Sequence, residues 1–190
     1  AYIEGQNNTA LEDDYREPGT PPNGYAIIAD PEATQISQAW LGYASKEYAT
    51  SVAVGRQRIV YDNARFIGDV AWRNNLLTYE SVTLKNTSVA KLEVNYAYLW
   101  KVKRIFDNPP ALAFRDFDSD SHLLNVSYAG LPIGKLTGYA YLLDFSNGLS
   151  SSSASYGASL VGSQAAGGSG VTIGYRAEYA YQSDYADNPV

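Results

Sequence analysis

The stretch VTIGYRAEYAYQSDY, residues 171–185, decides the fold. Every second position from Val171 reads Val171, Ile173, Tyr175, Ala177, Tyr179, Tyr181, an apolar and aromatic row. The other parity reads Thr172, Gly174, Arg176, Glu178, Ala180, Gln182, Asp184. Side chains of a strand alternate between its two faces, so a period of two describes a strand with one dry and one wet face. Two architectures share that pattern. A soluble sheet hides the apolar face in a core, whereas a membrane barrel turns it outward to lipid and keeps the polar face inside.

The same alternation recurs upstream. In KLEVNYAYLWKVK (91–103), Leu92, Val94, Tyr96, Tyr98, Trp100 and Val102 share one parity; Lys91, Glu93, Asn95, Ala97, Leu99, Lys101 and Lys103 share the other. Period-two segments near 35–45, 48–58, 77–86, 90–104, 122–130, 134–145, 154–164 and 170–184 give eight expected strands. Two of them are ambiguous. KLTGYAYLLDF (135–145) is apolar on both parities, and in LLTYESVTLK (76–85) Glu80 falls in step with Val82 and Leu84, which predicts a bulge or a strand that begins after Glu80.

Connection lengths alternate as well. Short links lie near 45–48, 86–90, 130–134 and 165–170; longer ones cover about 59–76, 105–121 and 146–153. Residues 1–34, polar and rich in Pro and Gly, read as one more long outer loop, followed by barrel strands over 35–190. Short turns at one end and long loops at the other describe an up-and-down transmembrane barrel with periplasmic turns and extracellular loops. A soluble sandwich more often carries Greek-key crossovers. The expected strand lengths suit the 9–11 tilted residues that cross a bilayer. The expected fold is therefore all-β, an antiparallel up-and-down transmembrane β-barrel with about eight strands in this chain.

Composition narrows the chemistry. There is no cysteine, so disulfides, thiolate metal sites and cysteine nucleophiles are excluded. The net charge of −6 argues against nucleic acid as a partner. Charge is uneven along the chain: residues 1–34 hold seven acids and one base, whereas residues 56–104 hold nine bases and four acids. The 17 tyrosines suit surfaces where one end of the side chain is dry and the other wet.

The segment VGRQRIVYDNARFIGDVAWRNN (54–75) contains Gly55-Arg56-Gln57, Tyr61-Asp62-Asn63, Arg65-Phe66-Ile67-Gly68 and Trp72-Arg73. In this it resembles the alginate-export family of bacterial outer-membrane β-barrels. ADPEATQISQAWL (29–41), DSDSHLLNVSYA (118–129), GYAYLLDF (138–145) and AEYAYQSDYADNP (177–189) resemble the same family, and the likeness covers nearly everything after about residue 25. One departure is Tyr79-Glu80, where the family pattern has an aspartate after the aromatic. Family barrels are longer, so the chain reads as an internal portion of a larger barrel. The resemblance implies a porin-like channel in the bacterial outer membrane, with an arginine-rich lumen in the member that exports alginate. Function does not follow from fold alone.

Bases on the polar parities are the candidate anion-selective pore lining: Arg56, Arg58, Arg65, Arg73, Lys91, Lys101, Lys103 and Arg176. Rings of Arg or Lys favour anions, and Arg pairs bidentately with carboxylates such as those of uronates. Glu80, Glu93 and Glu178 are candidate pore-lining acids that could instead pair with these bases and leave selectivity weak. Tyr96, Tyr98, Trp100, Tyr175, Tyr179 and Tyr181 are candidates for the aromatic girdles at the lipid interfaces. Asp116, Asp118 and Asp120 alternate like the start of a calcium loop. They lack its Gly and Glu, so the stretch reads first as a solvated outer loop, with a weak divalent-cation site as the alternative. His122 is the sole histidine and no G-x-S-x-G elbow accompanies it, so no catalysis is expected.

The expected partners are a lipid bilayer and a small polar or anionic solute, an acidic oligosaccharide among them, with no cofactor. The sequence names no periplasmic or oligomeric partner. A general diffusion porin without anion preference remains an alternative, and so does a soluble β-barrel or sandwich that binds a ligand.

Overall fold

The computed structural model describes residues 1–12, 14–106, 116–167 and 170–189. Within them nine strands follow one another: β1 (Tyr2–Asn8), β2 (Ala33–Ser45), β3 (Thr50–Gln57), β4 (Thr78–Asn86), β5 (Leu92–Lys103), β6 (Phe117–Leu131), β7 (Gly134–Leu143), β8 (Ser153–Ala166) and β9 (Val171–Asp184). Each pairs antiparallel with the next. The order in the sheet is the order in the chain, with β1 and β9 at its two edges. The fold is an all-β up-and-down meander, open as a portion of a barrel wall is open. Among the described residues no helix is long and apolar enough to cross a membrane, which leaves crossing by strands untouched.

Every expected strand appears, with shifted ends. β6 begins at Phe117, so Asp118 and Asp120 belong to a strand rather than to the loop read over 105–121. Residues 107–115 of that loop, and 168–169 of the link near 165–170, lie outside the described residues. Tyr2–Asn8 is a ninth strand inside the stretch read as a long loop. Its alternation is faint because only Ile3 is a large apolar residue on its outward row, and register against β2 holds it in place.

The connections alternate in length. Those after β2, β4, β6 and β8 are short; those after β1, β3, β5 and β7 are longer. The tightest link, between β6 and β7, turns at Gly134 with φ +121°. A Cβ there would strike the Val161 carbonyl of β8, so the turn needs glycine twice over, for its torsion and for its packing.

Candidate functional site

The two faces of the sheet differ in what covers them. The connection from β3 to β4, residues 58–77, folds back over one face, which we call the covered face. Its Ile59 and Ile67 are buried with Tyr79, Ala97, Leu99, Leu123, Tyr139 and Tyr141 from β4 to β7, and Tyr61 and Phe66 pack against this cluster. Phe66 lies 5.5 Å from the Tyr139 ring and Tyr61 stacks on Tyr141 at 5.9 Å. Polar contacts carry the loop further. Asn125 of β6 donates to Asp62 at 2.9 Å, and Arg65 reaches Glu178 of β9 at 3.9 Å. The hydroxyl of Tyr79 donates to the Gly68 carbonyl at 2.7 Å. An amphipathic loop thus lies across the sheet from β3 to β9.

Register assigns every strand residue to a face. Ser81, Leu99, Ser121 and Tyr79 lie on the covered face with Leu123, Asn125, Thr137, Tyr139, Ser155 and Ser159, and all are buried. The other face carries Leu41, Tyr43, Val52, Val54, Tyr96, Leu124, Leu136, Tyr156, Ile173, Tyr179 and Tyr181, and all are exposed, Tyr179 at 75%. Water-soluble sheets bury the apolar row and expose the polar one; here an apolar row is exposed, while the covered row mixes buried Ser, Thr and Asn with Leu and Tyr.

The expected lumen bases divide between the faces. Arg176 of β9 lies on the covered side, 3.1 Å from Glu178, which also accepts from Tyr139 at 2.9 Å. Lys85 and Glu93 pair there at 2.6 Å. Arg58 and Arg73 belong to the folded-back loop. Arg58 pairs with the buried Asp69, and Arg73 with Asp30 at 3.3 Å. Arg56, Glu80 and Lys101 lie elsewhere.

In β3 and β4, Arg56 opposes Glu80 in step with Val54 and Val82, which puts both on the open face. The irregularity foreseen near Glu80 is present, but the extra residue is Trp100 of β5. Ser81 faces Leu99 while Glu80 faces Lys101, so Glu80 keeps the open-face parity. There Arg56 binds Glu80 at 2.6 Å and the Trp100 indole donates to Glu80 at 3.2 Å. Lys101 pairs with Asp118 at 3.3 Å and Lys103 with Asp116 at 3.1 Å. Lys91 sits in the turn before β5 at φ +65°, not on the strand.

The remaining candidates follow the register. Tyr96, Tyr98, Tyr175, Tyr179 and Tyr181 share the open face, where Trp100 joins them at the bulge. The alternate aspartates do not converge: Asp116 and Asp118 are held by lysines, and among the described residues no three acids or histidines gather as a metal group. His122 contacts the Tyr96 hydroxyl at 2.8 Å on the open face. Outside the strands, burial pushes the Tyr61 hydroxyl up to about 12.

Two features were not singled out from the sequence. One is the stack of Tyr2 on Trp40, ring centres 5.5 Å apart on the covered face. The other is the run of rings Tyr61, Tyr141, Tyr139 and Phe66 that docks the loop. The alternation of Tyr139 with Tyr141 in GYAYLLDF was visible, but apolar residues on both parities hid which face it served.

No curated protein matches the chain. The family model described as "Alginate export" matches residues 3–183, nearly the whole chain. That family is one of outer-membrane transporters, not of enzymes. The all-β meander and its exposed apolar row agree with such a barrel wall, and the chain belongs to the alginate export family.

Proposed function

We propose that this protein is a channel of the bacterial outer membrane that passes polar and anionic solutes passively. The observation that carries the reading is the exposed apolar row on one face, opposite a covered face that holds many polar side chains. A row of exposed Leu, Val, Ile and Tyr suits lipid, and buried Ser, Thr and Asn under a folded-back loop suit a narrow aqueous path. The open face then meets the bilayer. Its Tyr and Trp residues form the interfacial girdle, and the pairs Arg56–Glu80 and Lys101–Asp118 lie beyond the apolar band towards the long-loop end. The long loops are extracellular and the short turns periplasmic in this orientation.

The charged groups left along the path are Lys85, Arg65, Arg176 and the loop bases Arg58 and Arg73, each with a carboxylate partner. Paired charges make a polar wall with only weak preference for anions. Acidic oligosaccharides belong among the solutes to be tested because of the family's name. Solute choice rests on pore width and on these side chains, without covalent chemistry.

Reversal potentials in a salt gradient across planar bilayers test the proposal. Arg176→Ala should lower the anion-to-cation permeability ratio a few-fold, the scale set by about 1 kcal/mol for a unit charge at 4 Å in water. Arg56→Ala should leave the ratio unchanged because it lies on the open face, away from the path. Loss of selectivity in Arg56→Ala instead would refute the assignment of faces, and absence of any conductance would refute the channel.

A further inference from the structure

Beside Trp40 the covered face is hollow. Trp40 points to that face and stacks on Tyr2, with rings inclined by 24°. The next residues of β2 on the same side are Gly42 and Ala44, and β3 offers Ser51 and Ala53 opposite them. A Cβ on Gly42 would stand 3.0 Å from the Trp40 ring, so the indole lies over that glycine rather than standing off the sheet. Small residues on two neighbouring strands leave a space of about 540 Å³, roofed by Arg58–Tyr61 of the folded-back loop. That volume is within the range of small-molecule sites. Its far rim is polar: Gln57, Thr83, Lys85 and Asn95.

We propose that this hollow is a subsite for an uncharged pyranose ring of an oligosaccharide, a reading that rests on the channel function above and names its solute class. A pyranose has one face of C–H groups and a belt of hydroxyls. The flat side of Trp40, propped by Tyr2, takes the C–H face, because an aromatic ring gains both burial and dispersion from such a partner. The belt meets the acceptor oxygens of Thr83, Asn95 and Gln57, whose own donors reach Gln57, Glu93 and Ser81. The ring is uncharged because the two bases at the rim are already occupied. Lys85 holds Glu93 at 2.6 Å and Arg58 holds Asp69, so a carboxylate on the sugar would have to displace one of them. Large side chains at 42, 44, 51 or 53 would close the space, and none is present.

The test is a titration of the detergent-solubilised full-length protein with maltohexaose. Trp72→Phe and Trp100→Phe leave Trp40 as the only tryptophan of residues 1–190. Saturable change in Trp40 emission is expected, and Ala53→Leu, which fills the hollow, should weaken it about tenfold, the scale of a lost aromatic contact. No saturable change, or equal affinity in Ala53→Leu, overturns the subsite. Binding of a hexagalacturonate about tenfold more tightly than maltohexaose overturns the uncharged ring. Calorimetric titration of the unsubstituted protein reads the same binding should the variants not fold. Failure of the channel reading is separate: it would show as absent current while Trp40 still responds.

Discussion

Replacing Ile67 by Ala tests whether the folded-back loop is held by its apolar residues. Ile67 is 2% exposed and sits in the cluster with Leu99, Leu123 and Tyr141. Deleting most of a buried Ile side chain costs about 2–5 kcal/mol, from lost transfer energy and the cavity left behind. The loop closes locally on the sheet, so most of that loss falls on docking rather than on strand pairing. At 1.4 kcal/mol per tenfold change, even the lower figure raises the undocked population about 30-fold. Two assays read this. Trypsin cleaves after Arg58, Arg65 and Arg73, and its rate follows the open population when reclosing is fast, so cleavage in the loop should accelerate by a similar factor. Open-channel conductance should rise as the loop leaves the path. Native rates of cleavage together with native conductance would refute the claim that Ile67 anchors the loop.

Two further outcomes follow from the same geometry. The Tyr61 hydroxyl is raised from 10 to about 12, so burial favours its neutral form. Its contribution to loop docking is complete below pH 10 and is lost as pH rises through about 12, visible as tryptic release that coincides with tyrosinate absorbance. Val82→Arg places a charge on the proposed lipid face and should destabilise folding into bilayers by about 2–4 kcal/mol in urea titrations, whereas Ser127→Arg on the covered face should cost much less. A larger cost for Ser127→Arg would mean that the faces have been exchanged, and equal costs would refute a lipid face on this sheet.

Much of the wall was legible in the chain. Period-two alternation is a local property, set by the strand itself, so eight of the nine strands and the alternation of connection lengths could be read from it. β1 escaped because its residues are mostly polar and it gains order from pairing with β2, where Glu4 is held by Ser37 at 2.6 Å. The placement of charges was read less well. Arg56, Glu80 and Lys101 were expected on the pore side by their polarity, yet register and the bulge at Trp100 set them on the open face, where Arg56 binds Glu80 and Lys101 binds Asp118. A charge near a strand end can face outward because the apolar band has ended there. Polarity alone does not report how far along the strand that band extends.

The residues 171–185 determined by themselves that a strand with one apolar and one polar face forms there, because side-chain direction alternates with sequence. They could not determine which face is hidden. That was decided by residues far away in the chain: a loop from β3 to β4 carrying Ile59, Phe66 and Ile67 to β7, with Arg65 within 3.9 Å of Glu178. Local alternation is a property of one strand, whereas burial of a face depends on what another segment lays over it. The strand supplied the two faces, and the tertiary structure decided which of them is covered.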